Sequence, residues 1–142
     1  MAEGSPISTA VVGIDDSEHS RAAFEWACQA VSSNGTVYAL RGVRGHSSEQ
    51  RAQHLRDAIE SLDTMATVII SEVDTGEAGS VGDMLLCTAE ESDADIVVVG
   101  VHDQRRHTPR RLGATVSELL RHTTRPLAIV ADRPARDEPS AA

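Results

Sequence analysis

The amino-acid sequence predicts an α/β fold, a single doubly wound parallel sheet of five strands with helices on both faces. Three observations carry this expectation. Segments of strand character alternate with segments of helical periodicity through most of the 142 residues, and such alternation is how a parallel sheet is wound. The runs Val11–Ile14 and Ile96–Val99 are almost continuously apolar, as strands covered on both faces must be. The stretch from Ile96 to Ser117, IVVVGVHDQRRHTPRRLGATVS, passes from an apolar run ending at Gly100 through an arginine-laden loop to a helix opened by Gly113. Free backbone N–H groups and the helix dipole make such a junction attractive to a phosphate.

The elements follow in order. The first strand is read at Ser8–Ile14, ended by Asp15 and Asp16. Ser17 suits the N-cap of a first helix, on which Ala22, Ala23, Trp26, Ala27 and Ala30 recur at helical spacing. Ser32-Ser33-Asn34-Gly35 stops that helix, and Thr36–Val43 forms the second strand. Ser47-Ser48-Glu49 starts a second helix with Ala52, Leu55, Ile59 and Leu62 on one face. Thr67–Val73 is the third strand, followed by a loop holding Gly76 and Gly79. Ser80 and Asp83 resemble a capping box with Asp in place of Glu or Gln, and Met84, Leu85, Cys87 and Thr88 are expected to face inward on the third helix. Asp95 precedes the fourth strand at Ile96–Val99, Thr115–His122 is the fourth helix, and Pro126 opens the last strand at Leu127–Val130. Residues 1–6 are expected to be a flexible N-terminus, 7–131 the domain, and 132–142, rich in Pro, Ala and charge, a disordered tail.

Composition narrows the function. A formal net charge of −9 disfavours nonspecific binding to nucleic acid or to an anionic membrane. No apolar run approaches the roughly 20 residues that span a bilayer, and MAEGSP has neither a basic nor an apolar leader segment. A cytoplasmic location is therefore expected. The only aromatics are Phe24, Trp26 and Tyr38, so the core must be aliphatic. Cys28 and Cys87 are far apart, each in an apolar helical pattern, and read as buried thiols rather than a disulfide or redox pair. All 13 basic residues are arginine. The absence of lysine excludes a Walker A loop, which needs G-K-[ST], and Schiff-base chemistry. It also excludes a response-regulator receiver domain, similar in size and in its acidic pair after the first strand, because those receivers use a lysine at the end of the last strand.

Three stretches together resemble the universal stress protein (UspA-like) family. VVGIDDSEHSRAAFEWA is similar to its opening strand and turn, ESDADIVVVG to the approach to its nucleotide loop, and LRHTTRPLAIV to its closing helix and last strand. The similarity covers nearly all of residues 7–131. It implies strand order 3-2-1-4-5 in an adenine-nucleotide-hydrolase-like, Rossmann-like sheet. It also implies homodimers paired through the last strand, here Leu127, Ala128, Ile129 and Val130. One branch of the family binds ATP through G-x2-G-x9-G-[ST]; another lacks that motif and does not.

Gly100 and Gly113 match the first and third glycines of that motif, while the second falls on Asp103 and the hydroxyl position on Ala114, with Thr115 one place later. A carboxylate about 5 Å from a phosphate charge costs roughly 3 kcal/mol at an effective dielectric of 20. A hydroxyl bond lost from a charged phosphate costs about 1.5–3 kcal/mol. Together these would turn micromolar ATP binding into near-millimolar binding. Three features oppose the loss: Thr115 if the helix start shifts by one residue, a divalent ion such as Mg²⁺ bridging Asp103 to phosphate, and the positive charge of Arg105, Arg106, Arg110 and Arg111. Those arginines read either as a solvated loop balancing nearby acids or as an anion site, with RNA or protein contact behind. His102 and His107 with Asp103 have metal-ligating chemistry but read as solvated loop side chains.

The resemblance places Asp15 against adenine or ribose, beside Ile14; the plain alternative is that Asp15 caps a turn. The family's apolar adenine-packing position falls near Gly42 and Val43, and glycine there removes packing area. The candidate nucleotide residues are thus Ile14, Asp15, Val43, Gly100, His102, Asp103, Arg105, Gly113, Ala114 and Thr115. No G-x-S-x-G elbow, H-E-x-x-H or Cys–His spacing occurs, so no catalytic residue is assigned and an enzyme is not expected. The leading reading is a homodimeric stress-response protein that binds an adenine nucleotide weakly. A nucleotide-free interaction module of the same fold, with protein partners the sequence does not name, is the alternative. An ATP-hydrolysing enzyme is less favoured, because the S-G-G-x-[DS] loop of the related pyrophosphatases is replaced by DDSEHS.

Overall fold

The computed structural model describes residues 6–14, 18–43, 64–74, 80–102 and 114–132, together with 53, 56, 57, 60 and 62. Its elements run β1 (Thr9–Ile14), α1 (Glu18–Ala30), β2 (Thr36–Val43), β3 (Thr67–Asp74), α2 (Val81–Ser92), β4 (Ile96–His102), α3 (Ala114–His122) and β5 (Leu127–Asp132). Between β2 and β3, residues 53, 56, 57 and 60 are helical, and Gln53 donates to Asp57 one turn later at 2.9 Å. That agrees with the second helix expected there. Residues 1–5 and 133–142, which hold most of the expected flexible ends, lie outside the described residues.

The five strands form one sheet in the order β3-β2-β1-β4-β5, and every pairing is parallel. Alternation along the strands splits the core in two. Ala10, Val12 and Ile14 of β1, with Val37, Ala39, Ile96 and Val98, pack beneath Ala23, Phe24, Ala27, Cys28 and Val31. Val11, Leu40, Val97 and Val99 pack on the other side with Leu85, Ala89, Val116 and Leu119 of α2 and α3. Central strands buried on both faces explain the near-continuous apolar runs. Gly13 faces Leu85 of α2: a Cβ there would stand 3.2 Å from Leu85 Cδ1. Gly35, between α1 and β2, is tighter still, since a Cβ would meet the backbone oxygens of Ser8 at 2.8 Å and Ser32 at 2.9 Å.

Polar contacts set the element ends. Ser80 caps α2, its hydroxyl accepting from Asp83 N–H at 3.1 Å, as the sequence indicates. The same hydroxyl donates to Glu118 Oε2 at 2.9 Å, which ties α2 to α3. Asp93 closes α2 in the left-handed region at φ 54°, a conformation Asp tolerates better than most residues. Arg125 donates to Asp93 Oδ1 at 3.2 Å and to the Ala94 carbonyl at 2.6 Å. Asp95 joins the starts of two strands, accepting from Ser8 N–H at 2.8 Å and Thr9 N–H at 3.1 Å. Those backbone bonds hold its carboxyl below the usual carboxylate range.

Four expectations are corrected. Cys87 is exposed, whereas Cys28 is buried. The buried face of α2 is Gly82, Met84, Leu85 and Ala89, and Cys87, two residues past Leu85, points about 200° round the helix from it. β4 continues beyond Val99 to His102 and β5 beyond Val130 to Asp132 because their ladders persist, with Gly100 opposite Val130, Val101 opposite Ala131 and His102 opposite Asp132. Asp132 therefore belongs to the sheet and not to a tail. α3 begins one residue early, at Ala114. Among the described residues no helix is long and apolar enough to cross a membrane.

Candidate functional site

In an open parallel sheet, a ligand crevice forms beyond the strand C-termini where the winding direction reverses. Here the reversal lies between β1, whose chain continues to β2, and β4, whose chain continues to β5. The register shows where the two central strands stop pairing. β1 pairs with β4 only over Ala10–Ile96, Val11–Val97 and Val12–Val98. Beyond that, Ile14 remains paired with Arg41 of β2, and Gly100–His102 remain paired with β5. The two central strands thus separate after Val12, before β1 ends at Ile14.

The described candidate residues take distinct places around this gap. Ile14 is buried on the α1 face at the end of β1. Gly100 lies within β4, and His102 is its last residue. Val43 is the last residue of β2, level with Asp74. Ala114 and Thr115 are the first two residues of α3. A helix that returns between parallel strands starts at their C-terminal edge, so the unpaired N–H groups of α3 face the same end as the crevice. Asp15, Asp103, Arg105 and Gly113 lie outside the described residues, as do Asp16, Arg106, His107, Arg110 and Arg111. Leu127, Ala128, Ile129 and Val130 are on β5, an edge strand that pairs only with β4 among the described residues.

One residue at this end was not singled out from the sequence. Arg41 is buried, and its Nη1 donates to Glu72 Oε2 at 2.6 Å. The two residues are directly opposite on β2 and β3, and Arg41 is directly opposite Ile14 on β1. A guanidinium taken from water needs a carboxylate and further acceptors to be tolerated. The signal was present but incomplete: in Thr36–Val43, Arg41 shares alternation with buried Val37 and Ala39. Only the β2–β3 register supplies Glu72 as its partner.

Among the described residues no group of three or more His, Cys, Asp or Glu side chains is placed to hold a metal ion. Burial pushes the pKa of the Cys28 thiol up to about 11, and the Glu91 carboxylate raises that of Cys87.

The model of the universal stress protein family matches residues 6–131. A comparison with curated proteins returned no match. Among solved structures, a universal stress protein in complex with cAMP is 23% identical, with TM-score 0.69, covering 89% of this chain and 98% of that one. UspA from Lactobacillus plantarum is 17% identical, with TM-score 0.62, over 87% and 97%. A universal stress protein from Archaeoglobus fulgidus in complex with dAMP is 16% identical, with TM-score 0.58, over 86% and 96%.

Proposed function

Because the chain belongs to the universal stress protein family, we propose that it is a non-enzymatic, cytoplasmic stress-response protein that binds an adenine nucleotide weakly and works as a homodimer. The observation that carries the nucleotide reading is the separation of β1 from β4 after Val12 and Val98. In a sheet of this order a ligand crevice is expected there, between the end of β1 and the start of α3, where backbone donors favour phosphate. Similar folds in complex with cAMP and dAMP support an adenine nucleotide as the ligand class. Ile14 and Arg41 would border the base and ribose side, while Gly100, Asp103, Arg105, Gly113, Ala114 and Thr115 would meet the phosphates. Mg²⁺, if it accompanies ATP, would sit between Asp103 and phosphate. Pairing through β5 would give the dimer, with Ile129 already 40% exposed.

The substitutions at the second glycine and hydroxyl positions of the ATP motif support a second reading, a nucleotide-free interaction module of the same fold. Titration calorimetry with cAMP, AMP and Mg-ATP decides between them. Heat of binding in the micromolar to millimolar range supports the first reading. Absence of heat at millimolar nucleotide overturns it. The double replacement Asp103→Gly with Ala114→Ser is expected to tighten ATP binding by roughly a hundredfold or more. Prolonged incubation with ATP should release no ADP.

A further inference from the structure

We infer that the β3 edge is a second self-association surface, where two copies of this chain pair antiparallel through Thr67–Ser71 about a two-fold axis at Ile69. β3 is the sheet edge opposite β5 and pairs only with β2 among the described residues. An unprotected edge is a template for another strand unless lysine, proline or a bulge blunts it. Thr67–Asp74 contains no proline, its ladder to β2 runs through eight consecutive positions without a bulge, and of its two acids Glu72 is turned to Arg41 and Asp74 stands at the strand's end. It also carries exposed apolar surface, with Ile69 40% and Ile70 36% exposed.

The backbone defines which groups are free. Thr67 N–H donates inward to the Gly35 carbonyl. By strand alternation Ile69, Ser71 and Val73 also turn their backbone groups to β2, and Val68, Ile70 and Glu72 turn theirs outward. With Ile69 opposite its copy, Val68 stands opposite Ile70, so these outward groups form hydrogen-bonded pairs. On the α2 side of the sheet, Ile69 meets Ile69 and Thr67 meets Ser71. Those are apolar and hydroxyl cross-strand pairs of the kind that stabilise sheets. Charge is compatible as well. Glu72, already held by Arg41, lies just past the paired segment Thr67–Ser71 and faces no acid of the other copy's segment. Moving the axis to Ile70 would instead set Glu72 against Val68.

Cysteine cross-linking tests the register in the full chain with Cys28→Ala and Cys87→Ser. Ile69→Cys places two thiols in a non-hydrogen-bonded pair, within disulfide reach. Ile70→Cys places its copies about 8 Å apart along and across the ladder, beyond the roughly 7 Å limit. Under mild oxidation, Ile69→Cys is expected to give a covalent dimer of twice the 15.1 kDa chain, as is a mixture of Thr67→Cys and Ser71→Cys chains, whereas Ile70→Cys stays monomeric under denaturing electrophoresis. In sedimentation, Ile69→Lys should weaken one association step by roughly tenfold or more. A substitution on β5, Ile129→Lys, should leave the cross-link at position 69 intact. No cross-link at 69, or equal cross-linking at 69 and 70, overturns the proposal.

Discussion

Replacing Glu72 by alanine tests whether Arg41 depends on its carboxylate. The Arg41 side chain is 5% exposed, the Glu72 side chain 32%, and their atoms are 2.6 Å apart. Removing one partner from a fully buried ion pair costs about 3–5 kcal/mol. Glu72 is partly wet, and its loss admits some water to Arg41, so the expected cost falls to about 2 kcal/mol. For a chain of this size that is a drop of roughly 6–8 °C in Tm. Urea unfolding followed by circular dichroism measures it. The double replacement Arg41→Met with Glu72→Leu removes both charges and should cost clearly less than Glu72→Ala alone. If the double variant is as unstable as the single one, or Glu72→Ala costs less than about 0.5 kcal/mol, the buried-charge reasoning is refuted.

Further outcomes follow from the packing and titration. Leu85 is fully buried against Gly13, so Leu85→Ala should cost about 3 kcal/mol. Adding Gly13→Ala to it should cost less than the sum of the two singles, since the new methyl enters the vacated space; urea midpoints measure that coupling. Gly35→Ala sets a methyl against backbone rather than a movable side chain and should lower urea stability by about 2 kcal/mol or more. Asp95 titrates lower in the folded state, so its stabilisation is present above the unfolded carboxyl pKa and lost as pH falls through the folded one. The stability gap between the natural chain and Asp95→Ala, measured by urea unfolding, should therefore be full at pH 7 and narrow below about pH 4. A thiol reagent at pH 8 should modify exposed Cys87 in the native protein and buried Cys28 only after unfolding.

The sequence by itself determined the element types through features local in the chain. Alternation in Thr36–Val43, the helical spacing of Ala23 and Ala27, and the cap at Ser80 all act within a few residues, so one-dimensional pattern suffices to read them. The resemblance added the order 3-2-1-4-5, which the sheet has. Of the site, the frame was legible in Ile14, Gly100 and the start of α3, because strand ends and helix starts are local too. Tertiary structure alone decided what joins distant segments. It set the separation of β1 and β4 after Val12 and Val98, the union of Arg41 with Glu72 thirty-one residues away, and the outward turn of Cys87. The physical reason is common to all three. Periodicity assigns a side chain to a face of its own element, but partners across the sheet, and which helix face meets it, are chosen by register and packing between segments remote in sequence.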